Sequence, residues 1–115
     1  MIRVFDFRIE GMEQPIRLAS MSEEIVKKFL AEGVEMAEKY KASALPDDAW
    51  LERRRRTISD SMNRARKNGD AEWDAEKIRS FDLPTQTAMH DFIVEKSGLR
   101  MPSEGEVKAA STSAN

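Results

Sequence analysis

Ile2-Arg3-Val4-Phe5-Asp6-Phe7-Arg8-Ile9-Glu10, then Gly11-Met12-Glu13-Gln14, then Pro15-Ile16-Arg17-Leu18, opens the chain with two alternating runs about a short turn. Phe5, Phe7 and Ile9 alternate with Asp6, Arg8 and Glu10, and a period of two puts the apolar set on one face of a strand. Ile16 and Leu18 alternate with Arg17 beyond a short polar turn that begins at Gly11, so residues 2–19 are predicted to form a β-hairpin. Pro15 lacks an N–H, which places the second run at a sheet edge or starts it after the proline. A lone hairpin is marginal in water. Its Phe/Ile face therefore needs a cover, and the rest of the chain must supply it.

That remainder reads as helix. Ile25, Val26, Phe29, Leu30, Val34, Ala37 and Tyr40 recur at helical spacing and predict a first helix over about 22–41. Ser20 or Ser22 starts it, Ser20 having the capping-box distance to Glu23. Gly33 within this stripe points to a close helix crossing. A second helix is expected over 47–68, with Asp47 as N-cap and Asn68-Gly69 as stop, and with a thin apolar stripe of Ala49, Trp50, Leu51, Ile58, Met62 and Ala65. A short helix over 73–80 has Trp73 and Ile78 facing inward. Leu83-Pro84 opens a last helix, about 84–97, with Ala88, Met89, Phe92 and Ile93 buried and Ser97-Gly98-Leu99 as its end. Residues 100–115 hold no aromatic and one β-branched aliphatic, Val107, and read as a flexible tail. The expected fold is α+β and mainly helical: one compact domain over 1–99, a hairpin and about four helices, then the tail.

Composition narrows the function. The chain has 115 residues, of which 40% are hydrophobic, enough for one modest core and too few for two. Its net charge of −2 provides no global pull toward nucleic acid or an anionic membrane. There is no cysteine, which excludes disulfides, thiolate metal sites and thiol nucleophiles. No apolar run approaches the ~20 residues that span a bilayer. The charged first ten residues do not resemble a signal peptide. The cytoplasm is the expected compartment.

No residue pattern carries chemistry. His90 is the only histidine, so no two-histidine metal site exists, and a structural role is favoured. Glu23-Glu24 and Asp47-Asp48 are adjacent on helices and do not face each other as an acid–base pair would. There is no phosphate-cradling glycine loop and no nucleophile elbow. The expectation is a protein without catalytic residues, cofactor or metal.

The conspicuous feature is Arg53-Arg54-Arg55-Arg56. Residues 47–69 hold seven basic and four acidic residues, a local charge of +3. One reading is phosphate contact. Four consecutive helical residues cover every side of a helix, however, and no aromatic lies among them to stack on bases. A solvated or internally paired surface is favoured, with Arg53 and Arg56 as neighbours and Arg54 laying its stem along the apolar stripe. Trp50 and Trp73 are the other candidates for a protein-binding site. Burial is the plain reading of both, and contact with a partner is the alternative.

The order of these features resembles a known family. A hairpin opening with Phe5-Asp6-Phe7 turns at Gly11 into Ile16-Arg17-Leu18 and the first helix. A tryptophan- and arginine-rich helix follows. Then come Phe81-Asp82-Leu83 before the last helix and Lys96-Ser97-Gly98-Leu99 at its close. This is similar to the tail assembly chaperones of long-tailed bacteriophages and related prophages, over roughly residues 2–100. The arginine run and the link at 73–80 depart from that pattern.

The resemblance implies a protein that binds the long, helical tape measure protein, keeps it soluble and brings it to the tail tube protein. It also implies absence from the finished virion and no catalytic residues. Arg53 to Arg56, Trp50 and Trp73 are the candidate contacts, and self-association is open. Two other readings stand beside it: a nucleic-acid-binding regulator or packaging factor using the arginine run, and a small adaptor or inhibitor of a host protein.

Overall fold

The computed structural model describes residues 2–99. The expected tail, 100–115, lies outside them. An N-terminal antiparallel hairpin, β1 (Val4–Phe7) and β2 (Ile16–Ala19), precedes four helices: α1 (Glu23–Lys41), α2 (Ala49–Ala65), α3 (Ala75–Ile78) and α4 (Leu83–Lys96).

The alternation places Phe7 and Leu18 inside, on one face of the hairpin. Val4 pairs with Ala19, Phe5 with Leu18, Asp6 with Arg17 and Phe7 with Ile16. The N–H of Ser20 donates to the Arg3 carbonyl at 2.8 Å. Hydrogen-bonded pairs alternate along an antiparallel ladder, so Phe5/Leu18 and Phe7/Ile16 are the bonded ones. Arg17 and Ala19 therefore aim their backbone groups away from β1. Ser61 on α2 meets Ala19 there. Its hydroxyl accepts from the Ala19 N–H at 2.8 Å and donates to the Ala19 carbonyl at 2.7 Å.

α2 is the centre of the molecule, with β2, α3 and α4 all packed on it. Ile58, Met62 and Ala65 are buried, and they join Phe7, Leu18, Met21, Ile78, Met89 and Ile93 in one core. Ile25, Val26 and Phe29 from the first half of α1 lean against that core. Phe92 packs edge-on to Phe5 and Phe7, at 6.2 and 5.3 Å.

The first helix takes the second of its two expected starts, and other boundaries differ from the sequence expectation. Ser22 caps α1, its hydroxyl accepting from the Ile25 N–H at 3.3 Å. Ser20 is still in the strand's extension and is buried, accepting from the Arg3 N–H at 3.0 Å. Asp48, not Asp47, precedes α2, and its side chain makes no cap bond because its backbone is not extended (φ −101°, ψ 9°). α2 stops at Ala65, short of Asn68, where Arg66 turns to extended backbone. Gly69 serves a separate turn, closed by the Asp70 carboxylate on the Lys67 N–H at 2.9 Å. α3 is shorter than 73–80 because Asp74 caps it through the Lys77 N–H at 2.9 Å, leaving Trp73 outside the helix.

The start of α4 follows expectation. Asp82 accepts from the Thr85 N–H at 2.9 Å, with Pro84 in the first turn. Those Thr85 hydrogen bonds, side chain first and then backbone, hold the Asp82 carboxyl below the usual carboxylate range. Its end is a Schellman motif: the Leu99 N–H donates to Val94 O at 3.0 Å and Gly98 N–H to Glu95 O at 3.1 Å. Gly98 takes φ +85°, and Leu99 folds back on the core.

Candidate functional site

The four arginines of α2 point four ways, as about 100° per residue demands. Arg53 reaches α1. Its Nε donates to Glu32 at 3.1 Å, an Nη donates to the Phe29 carbonyl, and its guanidinium carbon lies 4.0 Å from the centre of the Phe29 ring. Arg56, one turn on, shares Glu32 at 3.2 Å. Arg54 reaches α4, donating to the Thr87 hydroxyl at 3.0 Å. Arg55 is the most buried of the four at 7% exposed, and its Nε has no hydrogen-bond partner among the described residues. The expectation that Arg53 and Arg56 are neighbours holds. The residue sunk into the interior, however, is Arg55 and not Arg54, because α2 is covered on more sides than its thin apolar stripe implied.

Burial pulls the Arg53 pKa down against the opposing pull of Glu32. Arg53 stays charged, as a guanidinium does throughout the accessible pH range. What it supplies is geometry: one planar group bonds a carboxylate, caps a carbonyl and covers an aromatic ring. Gly33 permits this, since a Cβ at that position would lie 3.1 Å from Arg53 Nη2. The arginine run is thus a clamp between helices. No single cationic face results.

His90 lies beside the clamp. Its ring sits 5.8 Å from that of Phe29, and its Nδ1 lies 3.7 Å from the Asp91 carboxylate. Burial lowers its pKa most; Asp91 opposes this and Arg54 and Arg53 reinforce it. Among the described residues no three His, Asp or Glu side chains converge as metal ligands.

The two tryptophans separate. Trp50 is 39% exposed at the start of α2, against the plain reading of burial. Trp73 is half-buried in the link before α3, stacked on Phe81 at 6.2 Å. Asn63 fixes its backbone from both sides, accepting from the Trp73 N–H at 2.7 Å and donating to its carbonyl at 2.6 Å.

Two open grooves of about 500 Å³ flank α2. One runs between α1 and α2, over Ile25 and Phe29, with Lys28, Arg56, Asp60 and Arg64 at its rim. The other runs between β2 and the end of α2, and includes Trp73.

The feature sequence reasoning missed is the outer flank of α1. Only Met36 is buried in this helix. Leu30 is 49% exposed, Val34 62% and Tyr40 68%, and Ala37 is also exposed. A helical projection gives the reason. Ile25, Phe29 and Met36 share one direction, whereas Leu30, Val34 and Ala37 lie about 100–160° around from it. The apolar arc is therefore too wide for one contact, and its width was the available signal.

Among the described residues no helix is long and apolar enough to cross a membrane. The chain matches no protein-family model, no curated protein and no solved structure.

Proposed function

We propose that this chain binds another polypeptide and acts as a tail assembly chaperone of the long-tailed phage type, without catalytic activity. Its partner is the tape measure protein, which it hands to the tail tube protein in the host cytoplasm. The observation that carries the reading is the bare flank of α1. Leu30, Val34 and Ala37 form an apolar strip along a helix that turns Ile25, Phe29 and Met36 inward and leaves these three in solvent. Covering a Leu- or Val-sized side chain contributes about 1.5–3 kcal/mol, so a partner helix laid along this strip gains several such contributions. A long amphipathic helix is the matching shape, and its own apolar stripe is what needs protection before the tube encloses it.

Against the nucleic-acid alternative, Arg53, Arg54 and Arg56 are turned to different neighbours, Glu32, Phe29 and Thr87, and so present no single cationic face.

Co-expression tests the proposal. The chain is expected to keep the tape measure protein soluble and to co-purify with it. Leu30→Ser with Val34→Ser should abolish this while circular dichroism and the melting temperature hold. Co-purification that survives the double substitution removes α1 as the binding surface. A tape measure protein that stays insoluble whether or not the chain is present removes the chaperone reading. Self-association through the same strip would appear as a dimer in analytical ultracentrifugation.

A further inference from the structure

The groove between β2 and the end of α2, about 510 Å³, is lined by Ile16, Arg17, Met62, Arg66, Trp73 and Lys77. Three of these six are cations, and each is tied to a backbone carbonyl. Arg17 Nε donates to Ala65 O at 3.3 Å, Arg66 Nη1 to Asp70 O at 3.2 Å and Lys77 Nζ to Glu72 O at 2.7 Å. A carbonyl orients a cation and leaves its formal charge in place. None of the three forms an ion pair among the described residues. Asp6, across the strand from Arg17, makes none with it, and the carboxylate of Asp70, which also lines the groove, accepts from the neutral Lys67 N–H and keeps its charge, so three cations stand against one anion in the lining. In a chain of net charge −2 this corner is cationic.

The ladder's alternation aims the N–H and C=O of Arg17 away from β1, toward the α2 side, as it does those of Ala19. Ser61 takes the Ala19 pair. The Arg17 pair has no hydrogen bond with a described residue and opens at the groove's edge. An unpaired strand edge beside an apolar floor fits an extended peptide, whose backbone pairs with the edge and whose alternate side chains enter the floor.

We propose that this groove binds an extended, acidic peptide segment. One residue bonds the Arg17 backbone, an apolar side chain lies on Met62 and Trp73, and flanking carboxylates meet Arg17, Arg66 and Lys77. Charge complementarity selects the acidic partner. The apolar floor and the strand edge favour a peptide over a phosphate backbone. The proposal rests on reading the chain as a polypeptide-binding protein, and adds a second contact away from the α1 flank.

The probe is the synthetic peptide acetyl-Glu-Val-Glu-Val-Glu-amide, titrated into the ¹⁵N-labelled full chain at low salt. Saturable shifts of the Trp73 indole and Arg17 amide resonances are expected, with a Kd below about 1 mM for so short a ligand. Arg17→Gln with Lys77→Gln should weaken binding at least about tenfold, and so should raising the salt to about 0.5 M. Lys77→Gln alone, at an exposed residue, repeats the test if the double variant fails to fold. Leu30→Ser should change nothing. The proposal is overturned if no saturable shift appears, if the lysine counterpart acetyl-Lys-Val-Lys-Val-Lys-amide shifts the same resonances equally, or if the substitutions leave affinity unchanged. A phosphate site, and so a wrong assignment, is indicated if a twelve-residue oligothymidylate competes at least as well as the peptide. These outcomes leave the α1 test standing. Loss of tape measure co-purification in the α1 variant, with this titration negative, would sink the groove alone.

Discussion

α1 and α2 are of similar length, nineteen and seventeen residues, and composition points the wrong way about them. α2 carries five arginines between Glu52 and Ala65, two serines that end up buried, and few large apolar residues, yet it lies at the centre. α1 has more aliphatic residues and lies at the edge. The difference is in what each surface meets. Ser59, Ser61 and Ala65 are small, so β2 and the last helices come close to α2, and Ser61 satisfies the strand backbone that burial would otherwise orphan. Burial follows steric fit and satisfied polar groups as much as hydrophobicity. An apolar side chain left out of such a fit is then free for a partner.

Truncating one apolar residue from each helix separates the two. Ile58→Ala empties a fully enclosed site in α2 and should cost about 2–5 kcal/mol, enough to leave a domain this small largely unfolded. Leu30→Ala on the bare flank of α1 should stay within about 0.5 kcal/mol. Urea unfolding followed by circular dichroism checks both. Comparable losses would mean that the α1 flank is covered within the monomer.

The next effect is local. Arg53→Ala removes the carbonyl cap on Phe29, the ring contact and one of the two arginines on Glu32. The ring contact contributes about 0.5–2 kcal/mol. The Glu32 pair is partly solvated and contributes less. A loss of about 1–2 kcal/mol is expected, concentrated on α1. Hydrogen exchange should quicken over residues 30–41 while α2 beyond Ile58 keeps its protection. Uniform quickening would show that α1 is held by its apolar contacts alone.

Much of this frame was legible beforehand, and the reasons are local. Alternation around Gly11 has one reading, and Ser97-Gly98-Leu99 carries its own stop chemistry. The close helix crossing expected at Gly33 is not what the glycine accommodates: the space beside it is taken by the Arg53 guanidinium, reaching across from α2. Boundaries set by competition between neighbours were not legible: Asp48 displaced Asp47, and Asp74 cut Trp73 out of α3, although Ser22 was already one of the two starts offered for α1. The burial of Arg55 and the exposure of Trp50 depend on which sides of α2 are covered. That is a tertiary fact with no trace in a single helix's periodicity. The flank of α1 was legible only as excess width, since periodicity finds a stripe but does not divide it between two contacts.

His90 gives a smaller, pH-dependent test of the α1–α4 contact. Its folded pKa lies below the unfolded value near 6.5, because burial against Phe29 disfavours the cation, with Arg54 and Arg53 adding to this against Asp91. The unfolded chain then binds the proton more readily. The stabilisation is fully present above the unfolded pKa, shrinks as pH falls through the window below it, and is gone below the folded pKa. Unfolding free energy measured from pH 7.5 to 5 should decline in wild type and decline less in His90→Gln. Equal slopes would place the titrating group elsewhere.

The finest test turns on Gly33. Alanine in mid-helix gains about 0.5–1 kcal/mol over glycine, through propensity and a less flexible unfolded chain. At this position its Cβ would come within 3.1 Å of Arg53 Nη2, so the guanidinium must yield by a few tenths of an ångström. An unattached arginine would swing aside at little cost. This one is bonded to Phe29 and Glu32 and stacked on a ring, so yielding weakens three contacts together. Gly33→Ala alone should therefore be neutral or destabilising by up to about 0.5 kcal/mol, and in an Arg53→Ala background it should stabilise by about 0.5–1 kcal/mol. The double-mutant cycle from urea unfolding should return a coupling of about 1 kcal/mol. Additive effects would mean that Arg53 moves freely, and α1 would then owe its position to Ile25, Val26 and Phe29 alone.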